Sequence, residues 1–169
     1  MKTKVAYGGV LTALALIFSY VESLIPITVG IPGIKVGLAN LLTVFALYKL
    51  NKRMALTISV LRIMLSGFLF GNMFSIIYSL AGGILSFCAM IALKKTNAFT
   101  AAGVSIAGGV FHNIGQMIVA ILVVESYYVA YYMPVLIIAG AITGLLIGIV
   151  TDAVLLRIKG IEFEQGERI

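Results

Sequence analysis

Charge is scarce in this chain. Of 169 residues, 12 are Lys or Arg and 6 are Asp or Glu, against 62% hydrophobic side chains and a mean hydropathy of +1.15. A soluble domain cannot keep its surface wet on so few charges, so that class is excluded and an integral membrane protein is left. Other shortages exclude chemistry. Asp152 is the one aspartate, which rules out the paired-aspartate metal sites of prenyl diphosphate chemistry. His112 and Cys88 are the one histidine and the one cysteine, so there is no zinc constellation and no intramolecular disulfide. Cys88, in an apolar run, reads as a small core-filling residue. No Gly-x4-Gly-Lys-Ser/Thr phosphate loop occurs, so the chain cannot itself couple to nucleotide hydrolysis by that route. The expectation is a protein that is not an enzyme and carries no cofactor or metal.

What the chain has in abundance is apolar sequence. A helix needs roughly 20 mostly apolar residues to cross a bilayer. Six candidate spans are bounded by charge clusters, proline, or Asn and Gly, at about 5–24, 36–50, 54–70, 73–93, 100–124 and 129–156. The second and third are short, which implies tilt or shelter by neighbours. Met1-Lys2-Thr3-Lys4 before the first run resembles a signal peptide, but the run is too long and no clean small-residue cleavage site follows, so it reads as the first span. No composition shift marks a linker. The reading is one all-α membrane domain over 1–169, a six-transmembrane-helix bundle.

The basic residues orient it. Lys2 and Lys4, then Lys49, Lys52 and Arg53, then Lys94 and Lys95, then Arg157 and Lys159 fall on alternate connections, whereas the others carry Glu22 with Lys35, nothing near 70–73, and Glu125. By the positive-inside rule both termini are cytoplasmic. The net charge of +6 therefore points to anionic lipid headgroups, with no nucleic acid as partner.

Two features of the apolar sequence stand out. The segment 25–34, joining the first two spans on the outside, holds Pro26 and Pro32 yet stays apolar, so it is neither a regular helix nor a solvated loop. It is either a lid over the bundle or an interfacial plug. Small residues recur four apart at Gly9 and Ala13, at Gly82 and Ser86, and at Gly140, Gly144 and Gly148. Such spacing gives flat faces for close helix approach. Most would pack inside the bundle, while the surface of Gly9, Ala13 and Ala15 is also suited to docking a separate membrane subunit.

The polar side chains converge. Within the apolar run 100–124 sit His112, Asn113 and Gln116, groups that hydrocarbon cannot satisfy and that in spans face a bundle interior, cavity or pathway. His112 and Gln116 are four apart and Asn113 and Gln116 three apart, so they share one broad helix face. At ~1.5 Å rise per residue from the cytoplasmic ends, Arg62 lies ~12 Å deep, His112 ~18 Å, and Gln116 and Glu22 ~24 to 25 Å. Lys35 and Asn40 enter from the outer end of the second span, and Asn72 and Tyr78 from that of the fourth. The polar groups thus gather in the outer half. Arg62, the costliest residue to bury, needs an anionic partner in Glu22, lipid phosphate or a ligand. An outward-facing, basic and amide-lined pocket favours an anionic or amphipathic solute. In the cytoplasmic half Asp152 is the main acid, and pairing with a nearby Arg or Lys is expected.

Several runs together resemble a known family. Ser19-Tyr20-Val21-Glu22-Ser23-Leu24-Ile25-Pro26, Pro32-Gly33-Ile34-Lys35-Val36-Gly37-Leu38-Ala39-Asn40, Leu61-Arg62, Tyr78-Ser79-Leu80-Ala81-Gly82-Gly83 and His112-Asn113-Ile114-Gly115-Gln116 are similar to the Gx transporter family, also catalogued as heptaprenyl diphosphate synthase component I. The resemblance covers nearly the whole chain. It implies a multi-pass protein of a bacterial cell membrane, like the substrate-binding S-components of energy-coupling factor (ECF) transporters. Those proteins capture a solute outside, dock a transmembrane coupling subunit through a small-residue face of the first helix, and depend on partner ATPases. Here Gly9, Ala13 and Ala15 would form that face, departing from a simple Ala-x-x-x-Ala pattern. Association of members with menaquinone and flavin-linked electron transfer admits isoprenoid, quinone-precursor or flavin ligands. The expected ligand-binding set is Glu22, Lys35, Asn40, Arg62, Tyr78, His112, Asn113 and Gln116. The competing expectation is a membrane anchor or assembly partner of a prenyl synthase or electron-transfer complex, with the polar cluster serving only to hydrogen-bond helix to helix.

Overall fold

A computed structural model of the chain describes residues 2–24 and 37–158, with side chains from Val5 onward. Among these residues the secondary structure is helical throughout: α1 Lys2–Leu24, α2 Leu38–Lys49, α3 Lys52–Phe70, α4 Met73–Lys95, α5 Ala101–Val124, a 3-10 turn Tyr127–Tyr132, and α6 Met133–Arg157. Lys35 and the segment 25–34 lie outside the described residues. The helix starts are written locally. Asn51, Asn72 and Thr100 each accept a backbone N–H three residues on, from Met54 (2.8 Å), Ser75 (2.8 Å) and Gly103 (3.3 Å). Such caps satisfy amides that helix geometry leaves without partners, each worth ~1 kcal/mol. Pro134 stands in the first turn of α6, where its missing N–H costs nothing.

Among the described residues five helices are long and apolar enough to cross a membrane, and the chain is a multi-pass membrane protein. The span expected at 36–50 is instead a helix of 12 residues, about 18 Å at 1.5 Å per residue, too short to cross alone. Leu42 through Leu47 are all buried, and α1, α3, α5 and α6 surround the helix. An apolar helix buried on all sides reads in sequence like a span, because hydropathy does not say whether lipid or protein surrounds it. The last helix begins at Met133, later than the expected 129, because the Tyr127–Tyr132 segment winds as a 3-10 turn.

α5 packs most extensively, against α6 and α4. Both contacts are glycine seams. A Cβ on Gly109 would lie 2.2 Å from the Gly140 carbonyl oxygen, and one on Gly148 would lie 2.4 Å from Ala102 Cα. A Cβ on Gly115 would lie 2.8 Å from Gly82 Cα. The four-residue repeats on α4 and α6 are therefore bundle-internal, as their spacing suggests.

The bundle has two unlike ends. Ala15, Leu42, Val44, Ala46, Leu47, Ala55, Ile58, Phe87, Met90, Ala101 and Val104 form an apolar core in the half that ends in the lysine-bearing connections. Three carbonyl and amide termini are stapled there. Lys49 Nζ donates to the Ile158 carbonyl (2.9 Å), and Lys94 Nζ donates to the Leu47 carbonyl while lying 4.7 Å from the centre of the Tyr48 ring. Asp152 accepts the Ala102 N–H (3.2 Å) at the start of α5, where a carboxylate is favourable at the positive helix end. The outer walls carry exposed apolar residues such as Ile17 on α1, Phe68 on α3 and Ile142 on α6, the surface expected to face lipid.

Candidate functional site

The half of the bundle away from the lysines holds a cavity of about 760 Å³, its open mouth included. Every helix contributes to its wall. Glu22 comes from the last turn of α1, Asn40 and Thr43 from the first turns of α2, and Ser59 and Arg62 from the middle of α3. Ser79, Gly83 and Ser86 come from α4, His112, Asn113 and Gln116 from α5, and Thr143 and Gly144 from α6. Met90 and Ile147 line it on the side of the apolar core.

Backbone approach places these side chains. At Gly82 a Cβ would sit 2.8 Å from the His112 carbonyl oxygen, 2.9 Å from Gln116 Cγ and 3.0 Å from His112 Cε1. α4 thus presses directly on the two α5 residues, which only a glycine permits, and the seam sets Ser79, Gly83 and Ser86 facing them. On the other side, Asn113 Nδ2 donates to the Leu136 carbonyl (2.6 Å), tying α5 to the start of α6. Glu22 ties α1 to α2: its Oε1 accepts the Gly37 N–H (2.6 Å). Gly37 holds that amide in place with φ +74°, a left-handed conformation that favours glycine, immediately before α2. Glu22 is also the acid whose field acts on Arg62.

The wall is not satisfied internally. Thr43 Oγ1, Arg62 Nε and Gln116 Nε2 are shut from solvent and have no hydrogen-bond partner among the described residues. Gln116 is 2% exposed and Thr43 1%. A buried polar group without a partner costs ~1–3 kcal/mol, so such groups are rare unless something else supplies the bond. Three of them on one cavity wall are the arrangement of a polar binding site.

The structure therefore brings together Glu22, Asn40, Arg62, His112, Asn113 and Gln116. Lys35 lies outside the described residues. Tyr78 is not on the wall; its ring stacks on Phe74 with centroids 5.7 Å apart. Thr43, Ser59, Ser79, Ser86 and Thr143 were not singled out in the sequence. Two of them carry a readable signal: Thr43 follows Asn40, and Arg62 follows Ser59, by three residues, the spacing of one helix face. On α1, Gly9 and Ala13 are exposed, with nothing within 4 Å of a Cβ at Gly9, whereas Ala15 is fully buried in the apolar core. The structure does not bring Ala15 to the surface that Gly9 and Ala13 share. Among the described residues no three of His, Cys, Asp and Glu are grouped to hold a metal ion.

The chain is thus a multi-pass membrane protein, helical throughout its described residues, with a polar cavity buried between its helices. It belongs to the family described as heptaprenyl diphosphate synthase component I, whose model matches residues 11–154 and so contains every helix contribution to the cavity. No curated protein and no solved structure matches the chain.

Proposed function

We propose that this protein is the solute-binding membrane subunit of an ECF-type transporter, capturing a small anionic or amphipathic solute from outside the cell for uptake. The observation that carries the reading is the set of unpartnered polar atoms, Thr43 Oγ1, Arg62 Nε and Gln116 Nε2, turned to one cavity. Arg62 attracts the acidic group, and His112, Asn113 and Gln116 hydrogen-bond the polar head. The cavity lies in the half opposite the lysine-rich connections, which under the positive-inside rule is the outer half of a bacterial cell membrane with both termini cytoplasmic. The chain is not an enzyme in this reading. It binds, and the energy comes from partner ATPases through a coupling protein that docks on α1 at Gly9 and Ala13.

The second reading is a membrane anchor for a prenyl synthase. The family's description supports it, as does the Asn113 bond to the Leu136 carbonyl, a polar contact that serves helix association. Purification of the tagged chain from its native membrane separates the two. Transport predicts ATPases and a coupling protein in the complex, lost in a Gly9→Leu, Ala13→Leu variant that still folds. A stable complex with a soluble synthase and no ATPase would contradict it.

A further inference from the structure

Arg62, Glu22 and Ser79 border a second space as well as the first. Beyond them, between α1, α3 and the start of α4, lies a cleft of about 660 Å³, its open mouth included. Its polar wall is built of hydroxyls, with Ser19, Ser66 and Ser75 joining Ser79 beside the Arg62 and Glu22 side chains. Ser19 Oγ, like Arg62 Nε, is shut from solvent with no hydrogen-bond partner among the described residues. Four of the six unpartnered buried side-chain atoms among the described residues thus line these two spaces, on Gln116 and Thr43 in the central cavity, on Arg62 between the two, and on Ser19 in the cleft; those of Tyr48 and Ser105 lie elsewhere.

The two chambers differ in chemistry. The central one offers amide and imidazole groups that both donate and accept, which suits an uncharged polar body. The cleft offers a guanidinium and serine hydroxyls; at its rim the first turn of α4 at Ser75 meets the last turn of α3 at Gly67, Phe70 and Gly71, so the two helix ends oppose each other and the guanidinium is the cation that sets the sign of the site. Glu22 is the acid on this wall, and it spends Oε1 on the Gly37 N–H. A guanidinium in a low-dielectric site needs planar acceptor oxygens to satisfy its fork of donors.

We propose that the cleft is an oxyanion subsite, and that the solute is two-ended: a carboxylate or phosphate lies between Arg62 and Ser19, and an uncharged hydrogen-bonding body reaches into the central cavity as far as Gln116. This deepens the transport reading and rests on it for the word solute, while the anion site itself stands on the cleft. The probe is inorganic phosphate, titrated into the purified full chain in detergent at constant ionic strength, with thermal unfolding as readout. Phosphate raises the Tm saturably in the wild type and in Gln116→Leu, which alters only the central cavity. The rise disappears in Arg62→Gln, and Ser19→Ala weakens the apparent affinity at least threefold. Ser19→Ala removes a hydroxyl that has no partner, so it reports even if Arg62→Gln fails to fold.

Absence of a saturable rise, or an equal rise in Arg62→Gln, overturns the proposal. A short-chain phosphatidic acid that binds more tightly than phosphate assigns the cleft to a lipid headgroup and overturns the solute. Failure here, with a small molecule still retained in the central cavity, leaves the transport reading standing; phosphate binding in a chain that recruits no ATPase does the reverse.

Discussion

At the residue scale, the cavity separates side chains that hold the fold from side chains that wait for a partner. Gln116 and Asn113 are both amides on one face of α5, yet they have opposite energetics. Asn113 makes an interhelical bond, so Asn113→Leu should lower thermal stability in detergent, by ~0.6 kcal/mol if it resembles the average for such contacts. Gln116 Nε2 is buried without a partner, so Gln116→Leu should leave the empty protein as stable or make it more stable, by up to ~1–3 kcal/mol. A large loss of Tm in Gln116→Leu would mean that its amide holds the bundle together. Charged and amide residues of the site were legible in the sequence because polar groups are conspicuous in an apolar run. The hydroxyls were not, since serine and threonine in helices satisfy themselves on nearby carbonyls, as Thr143 does on Ala139 (2.9 Å), and so occur without a binding role.

At the element scale, glycine seams decide which helices touch. Gly109 and Gly140 face each other across α5 and α6 with no space for a methyl group, so Gly109→Ala or Gly140→Ala should destabilise the bundle by roughly 1–3 kcal/mol through overpacking. Gly9→Ala on α1, where a Cβ meets nothing, should leave Tm unchanged or slightly raised, since alanine favours helix. Equal losses at the two places would contradict the packing. Four-residue spacing announced these faces but not their partners, because a flat face fits any other flat face. The length of α2 was hidden for a related reason. Its residues Leu42 through Leu47, apolar except for Thr43, are surrounded by protein, and protein and lipid leave the same mark on hydropathy. Of the helix starts that rest on a side-chain cap, that of α4 after Asn72 matches the expected bound to the residue, whereas α3 and α5 begin at Lys52 and Ala101 instead of 54 and 100.

At the scale of the whole molecule, one end is closed by lysines and an apolar core, and the other holds the polar cavity beside exposed aromatics. Tyr127, Tyr128 and Tyr131 are 86%, 79% and 80% exposed, as expected of rings that sit at a headgroup layer. The orientation is open to a direct test in intact cells, using Cys88→Ser as background. A cysteine at Tyr128 should react with a membrane-impermeant maleimide, and one at Asn97, between α4 and α5, should react only after the membrane is opened. The reverse pattern would put the cavity on the cytoplasmic side and remove capture from outside. Whether the cavity holds a solute is read out by native mass spectrometry of the detergent-purified protein. The wild type should carry one small molecule per chain, and Arg62→Ala and His112→Ala, still folded, should have lost it. A wild-type mass with nothing bound, or an adduct that both variants keep, would contradict the assignment.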